Sequence, residues 1–386
     1  MRIFKLIYKN ALRHKLRTAL TVLGMAIAVM AFGVLRTVVD MYYAGIDATA
    51  VNRLITRQAV SYIFTLPYSY RDQIAKVTGV ETVSFANWFG GTYIDKKNFF
   101  ARMGVDAETI FDVYPEYVLP PKEYETFKSE RNACVVGSEL AKQYGFKIGD
   151  VISMDGDIYP GPWSFVVRGI YYPRDKVTDA TQMFFHWQYI DERMKQDMPG
   201  RTGQVGWYII KIKDPSQAAA ISEQVDALFK NSSNETKTET ERAFTQGFIN
   251  GFSSLLNAMN AVSFIIIGII MLVLGNTMIM SARERTREYA VLKTLGFSGG
   301  HLFGLIFGES MLISAFGAVA GLLITYPFVA GIEAKMPKGF FPYFFITPQT
   351  VILAGAAALT IGVLASIFPL QRALRMKIVD GLRFIG

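Results

Sequence analysis

Thr18 to Leu35, TALTVLGMAIAVMAFGVL, carries no charge, and the segment before it, 1–17, holds six bases and no acid. At 1.5 Å per residue this run covers about 27 Å, enough to cross a hydrocarbon core of about 30 Å with help from its flanks. A cleaved signal peptide is the alternative. Its apolar region would be shorter and followed by small residues. Here RTVVDMYYAG follows, which favours a retained anchor. A second and much longer stretch, 243–282, is also free of charge. One straight helix of that length would measure about 60 Å, twice the bilayer core. Its first part, AFTQGFINGFSSLLNAMN, is polar enough to project from the membrane as a stalk, and AVSFIIIGIIMLVLGNTMIM is the second span. Residues 310–332 and 349–369 supply a third and a fourth.

Between the first two spans the pattern changes. AVSYIFTL, ETVSFANWF, ISMDG, SFVVRGIYY and GWYIIKIKD are short β-branched and aromatic runs with strand character. YSYRDQIAKVTG, SELAKQYG and PSQAAAISEQVDALFKN carry helical spacing, with Gly79 and Gly145 as end signals. The expected fold is therefore an α-helical membrane protein. Four transmembrane helices accompany a large α+β extracytoplasmic domain between helices 1 and 2. Its expected parts are 1–40 (basic helix and first span), 41–250 (extracytoplasmic domain with stalk) and 251–386 (three spans and the tail).

Composition agrees with a chain shared between lipid and water. Of 386 residues 51% are hydrophobic, and the formal charge is +8. The charge is uneven: residues 40–282 hold 23 bases and 27 acids, the remainder 17 bases and 5 acids. The basic excess lies directly beside the spans, which argues for membrane orientation rather than nucleic-acid binding. The amino-terminal segment, 283–301 and the tail (Arg372, Arg375, Lys377, Arg383) then face the cytoplasm. The outer block and the aromatic 333–347 loop face outward. That loop reads as an interfacial anchor, with substrate contact as the alternative. Arg36, near the outer end of the first span, is expected to snorkel.

Motifs for chemistry are sparse. No P-loop, G-x-S-x-G or H-E-x-x-H occurs, so if ATP drives this chain another polypeptide binds it. His14, His186 and His301 fall on opposite sides of the membrane and cannot form one metal site. No catalytic and no metal-ligating residue is therefore assigned. The lone Cys134 reads as a small core residue. Glu309 stands out at the start of the third span. It either sits near the headgroups, capped by water or a basic neighbour, or has a function. Gly300, Gly304 and Gly308, and again Gly317 and Gly321, recur at four-residue spacing. Such spacing suits close helix packing within one subunit or against a second.

SARERTREYAVLKTLGFSGG, residues 281–300, is the most informative stretch. A single helix is expected over Arg283–Gly296. Arg283, Arg285 and Arg287 crowd its start, and Glu284 is positioned to pair with Arg287 at i, i+3. Glu288 adds a second acid. Tyr289, Leu292 and Leu295 give one apolar side, and Gly296 ends the helix in a sharp turn. Such a rod is shaped to lie along the membrane or to enter a groove on a partner.

ERTREYAVLKTLGFS followed by a Glu-containing span resembles the signature of MacB/FtsX-type permeases, the mechanotransmission class of ABC transporters. YKNALRHKLRTALTVLGMAIAV is similar to that family's basic helix and first span. ACVVGSELAKQYGFKIGDVI with SFVVRGIY is similar to the core of its outer domain. IFPLQRALRMKIVDGLR resembles its tail, with Pro369-Leu370 in place of the usual Pro-Ala.

The resemblance implies a dimeric inner-membrane permease, paired with a second copy or a homologous permease. It also implies two copies of a separate ABC ATPase that bind ATP and Mg, this chain holding no cofactor. Residues 283–296 would dock on that ATPase, and its closure would move spans one and two and, through the stalk, the outer domain. The cargo would be a hydrophobic, peptide or lipoprotein-like substrate, exported or extracted with or without a periplasmic adaptor. Membrane lipids are further partners, and nucleic acid is not. The alternative is a transmembrane signalling subunit that controls an outer enzyme such as a cell-wall hydrolase. The outer block, 41–250, is larger than in signalling relatives, which favours transport.

Overall fold

The computed structural model describes residues 2–47, 49–175, 177–334 and 344–379. Most of the aromatic 333–347 loop, and Arg383 in the tail, lie outside the described residues. The chain divides into two compact units: one comprises Met1–Met41, Phe252–Lys335 and Phe344–Gly386, the other is chiefly Tyr42–Gly251.

Among the described residues of the first unit, four helices are long and apolar enough to cross a bilayer. They are Lys15–Asp47, Ser253–Glu284, Gly299–Glu333 and Pro348–Arg375, preceded by a short amphipathic helix Arg2–Ala11. The first span runs past its apolar stretch, 18–35, at both ends. Arg36 Nε lies 2.9 Å from Asp40 Oδ1, one turn further toward the outer end of the helix. Asp40 Oδ2 in turn accepts hydrogen bonds from Thr347 Oγ1 (2.9 Å) and Thr350 Oγ1 (2.5 Å), at the start of the fourth span. Thr347 Oγ1 also caps that helix by accepting from the Thr350 N–H.

The third span packs against both the first and the fourth. A methyl group added to Gly317 would sit 2.2 Å from Met25 Cγ, and one on Gly321 would sit 2.6 Å from Val29 Cβ. On the other side Ser310 Oγ donates to Gly362 O at 2.6 Å. Gly308 receives Ile7 of the amino-terminal helix. Gly308, Gly317 and Gly321 therefore serve packing within one subunit. Gly304 meets nothing within 4 Å.

The long uncharged stretch is two helices, Glu241–Asn250 and Ser253–Glu284, rather than one. The break falls at Gly251-Phe252, where glycine raises the conformational cost of continuing the helix. Part of the stretch assigned to the stalk thus belongs to the second span.

The outer unit is built on a mixed sheet. In chain order its longer strands are β1 (Arg53–Gln58), β2 (Val80–Trp88), β3 (Arg102–Val105), β4 (Ala133–Gly137) and β5 (Val151–Gly156), followed by β6 (Gly161–Pro173), β7 (Met183–His186), β8 (Trp207–Ile212) and β9 (Thr236–Thr240). They lie in the order β9-β1-β8-β2-β3-β7-β4-β6-β5. The β3–β7 and β4–β6 pairs are parallel and the others antiparallel. Successive side chains on a strand face opposite ways. Leu54, Phe85 and Ile210 therefore join one apolar cluster, while their neighbours Ile55, Ala86 and Ile209 join another behind the sheet. Cys134 is fully buried in a third cluster with Trp163, Phe165 and Phe185, and burial pushes its thiol pKa up.

Two local expectations are corrected. AVSYIFTL, residues 59–66, is mostly a loop. The Gln58 side chain accepts from the Val60 and Ser61 N–H groups and turns the chain, leaving Ile63 84% exposed. Conversely RLITRQ, residues 53–58, is a wholly buried strand. Its arginines are matched by acids: Arg53 by Glu116 (2.6 Å) and Glu241 (2.8 Å), Arg57 by Glu239 (3.1 Å).

Candidate functional site

Residues 281–300 join the second and third spans. The second span stays helical through Arg283 and Glu284, the chain bends at Arg285, and a separate helix runs from Thr286 to Thr294. The rod expected over 283–296 is thus shorter, and Arg283 and Glu284 belong to the span before it. The bend lets Arg285 turn inward. Its Nη1 donates to Glu309 Oε2 at 2.8 Å and its Nη2 to Asn10 O at 2.7 Å. Both charged side chains are buried, so the basic neighbour that caps Glu309 is Arg285.

The same bend separates Glu284 from Arg287, so the expected pair between them does not form. Glu284 instead accepts two hydrogen bonds from Arg17, at 2.7 and 2.8 Å, and lies 3.7 Å from His14. Glu288 pairs with Arg13 at 2.5 Å. The turn and first residues between the amino-terminal helix and the first span therefore grip this segment from one side. From the other, Lys293 Nζ donates to Ala373 O, Leu374 O and Met376 O at 2.8–3.1 Å, capping the last turn of the fourth span.

The apolar side divides too. Tyr289 is buried and Leu292 packs beside it in the core between the spans. Burial pushes the Tyr289 phenol pKa up to about 12. Leu295 is 70% exposed, because the helix ends there and the side chain projects past the core. Gly296 has φ +87°, and the Phe297 N–H reaches Leu292 O while the Gly296 N–H reaches Lys293 O. That pair of hydrogen bonds is the pattern of a left-handed helix stop. Arg287, Val291 and Leu295, spaced by four, remain exposed, as does Arg283 on the other side of the bend.

Arg13, Arg17 and Lys293 were not singled out from the sequence. A signal existed: only five acids lie outside residues 40–282, and three of them, Glu284, Glu288 and Glu309, cluster here. An acid in so basic a half is placed to meet a base. The outer unit separately contains a cavity of 220 Å³ lined by Met103, Phe184, Trp207 and Phe244 together with Gln182 and Glu241.

Four bilayer-length helices, a large mixed-sheet unit inserted in the chain between the first and second, and a charged segment clamped between the second and third define a multi-pass membrane permease with a large outer domain. The chain belongs to the MacB/FtsX-type family of ABC transporter permeases. The MacB-like periplasmic core domain matches residues 18–228 and the FtsX-like permease C-terminal region matches 260–378. An ABC transporter permease of Methanocaldococcus jannaschii is 22% identical over 97% of this chain and 96% of its own length. One from Mycobacterium tuberculosis is 24% identical over 67% of this chain, which spans 29% of that relative's length. The macrolide export ATP-binding/permease protein MacB of Nitrobacter winogradskyi is 31% identical over 33% of this chain and 19% of its own length.

Proposed function

We propose that this chain is the permease subunit of an inner-membrane ABC exporter or extractor, driven by a separate ATPase that docks on residues 283–296. The observation that carries this reading is the outward stripe of Arg287, Val291 and Leu295 on a segment whose inward residues are all bound within the chain. An apolar strip that follows Arg287, on a helix clamped from two sides, suits insertion into a groove on a partner. A push on it reaches three elements at once: the third span through Arg285–Glu309, the first through Arg17–Glu284, and the fourth through Lys293. ATP and Mg belong to the partner in this scheme. Dimerisation, an adaptor, and an apolar or peptide cargo are parts of the same proposal. Export is named for one of these relatives, and the outer unit's cavity offers aromatic walls beside the polar groups of Gln182 and Glu241.

Tagged full-length chain purified from its own membranes tests this. An ATP-hydrolysing protein co-purifies with the wild type. It is lost from an Arg287→Glu/Leu295→Asp variant and retained by Lys377→Glu, a charge change outside the stripe. Equal ATPase recovery with all three chains overturns the docking assignment. Glu284→Lys is not a clean probe, since it first breaks the Arg17 pair.

A further inference from the structure

The cavity of 220 Å³ in the outer unit is built from three sides. Its floor is one face of the sheet: Ile55, Ile209, Ala86, Val105 and Phe184 come from β1, β8, β2, β3 and β7, which are adjacent in that order. One wall is the segment that carries Tyr114 and Tyr117. The roof is the helix Glu241–Asn250, through Glu241, Phe244 and Thr245. Ala86 explains the space. It lies opposite Trp207 on one neighbouring strand and Val105 on the other, and its single methyl leaves unfilled what a larger side chain would occupy. At 220 Å³ the cavity falls below the roughly 300–1,000 Å³ of sites for drug-sized ligands, so it suits a small molecule.

Two features of the lining set the chemistry. The first is aromatic: Tyr114 and Tyr117 stand 5.3 Å apart, Tyr117 and Phe184 5.5 Å, and Trp207 and Phe244 complete the set. Ring faces attract cations, and Arg53 already lies 4.2 Å from the centroid of Tyr114. The second is charge. Arg53 is buried and shared by two acids, Glu116 at 2.6 Å and Glu241 at 2.8 Å, so the trio keeps one net negative charge. Glu241 Oε2 accepts from both the Arg53 Nε–H and the Ala50 N–H, and the same residue lines the cavity. A packing void in an apolar core would be walled by hydrocarbon alone and stay dry. Here an anion is repelled, and a neutral molecule gains nothing from the surplus charge.

We propose that this cavity binds one small organic cation, an ammonium group on a short aromatic or alkyl body. The ammonium lies toward Glu241 and Tyr114, and the body rests on Ala86 between Phe184 and Trp207. The roof helix is the last element before the chain enters the second span, so an occupant stiffens the segment that leads there. The site belongs to the outer unit alone and is measured without nucleotide or ATPase. Its failure and that of the docking assignment are therefore separate results.

Calorimetric titration of the full-length chain in neutral detergent tests this with three probes of similar size: phenethylammonium, phenethyl alcohol and phenylacetate. Phenethylammonium is expected to bind once per chain and about tenfold more tightly than the alcohol, with phenylacetate weaker still. It should also slow amide hydrogen exchange over 241–250. Thr245→Phe fills the cavity from the helix and Ala86→Leu from the floor, and each should abolish binding. The helix variant stands as the test if the floor variant fails to fold. Glu116→Gln keeps a contact to Arg53 and makes the trio neutral, so it should bring phenethylammonium level with the alcohol. Equal affinity for the three probes, or unchanged binding in Thr245→Phe, overturns the proposal. So does an undiminished cation preference in Glu116→Gln. Absence of binding by every probe overturns it too and leaves the cavity to water.

Discussion

Arg285 and Glu309 form a buried ion pair, Nη1 to Oε2 2.8 Å, 24 residues apart in sequence and on either side of the exposed stripe's helix. The pair fixes the bend at Arg285, and the bend decides which residues face out. Removing one partner of a buried pair leaves an uncompensated charge and costs about 3–5 kcal/mol, whereas replacing both with apolar groups is often neutral. Glu309→Ala should therefore lower the thermal midpoint of the detergent-purified chain sharply. Arg285→Met/Glu309→Leu should recover most of that loss. If the double variant is no more stable than Glu309→Ala, the pair does not act as a unit.

Gly296 should discriminate shape from size. Its φ of +87° disfavours any branched residue, yet an added methyl would meet nothing within 4 Å. A β-branched residue there costs about 1–2 kcal/mol, and asparagine, which tolerates the left-handed region, costs less. Gly296→Val should impair ATPase-driven activity while Gly296→Asn largely retains it. Equal impairment would point to lost space rather than backbone conformation.

The glycines of the third span separate in the same way. Gly317→Leu forces a side chain into Met25, and overpacking of this kind costs about 1–3 kcal/mol. Gly304→Ala faces open space and should be silent. Thermal midpoints of the two variants in the same detergent check this, and similar values would refute the assigned seam.

The outer unit carries its own pH dependence. His186 is buried, with Nε2 bonded to Phe127 O, and burial lowers its pKa from the ordinary value of 6.5. The native state thus prefers neutral imidazole. Its contribution is complete above pH 6.5 and is lost as pH falls through the lower native pKa, because the unfolded chain then binds the proton more readily. Unfolding midpoints of the wild type should fall between pH 7 and 5 more steeply than those of His186→Gln. Parallel profiles would assign the acid sensitivity to other groups.

Much of the architecture was legible in the residues. Uncharged runs marked four spans because hydrocarbon excludes unpaired charge, and SFVVRGIYY and SELAKQYG marked a strand and a helix by period and end signal. Gly296 announced a helix stop. RLITRQ did not read as a strand, since two buried arginines look like solvent-facing charge until Glu116, Glu239 and Glu241 are brought beside them from distant sequence. AVSYIFTL misled in the opposite sense, because an apolar run records preference and not whether a partner strand is available.

The charged segment between the second and third spans shows the same division on a smaller scale. Local sequence set its amphipathic character, its basic content and its end at Gly296, all of which depend on neighbours within a turn or two. Only the tertiary structure decided that Glu284 faces Arg17, that Glu288 faces Arg13, that Arg285 turns in to Glu309, and that Leu295 alone of the three expected apolar residues points out. An ion pair is chosen by proximity in space, and helices close in a folded bundle bring together residues that chain spacing keeps apart.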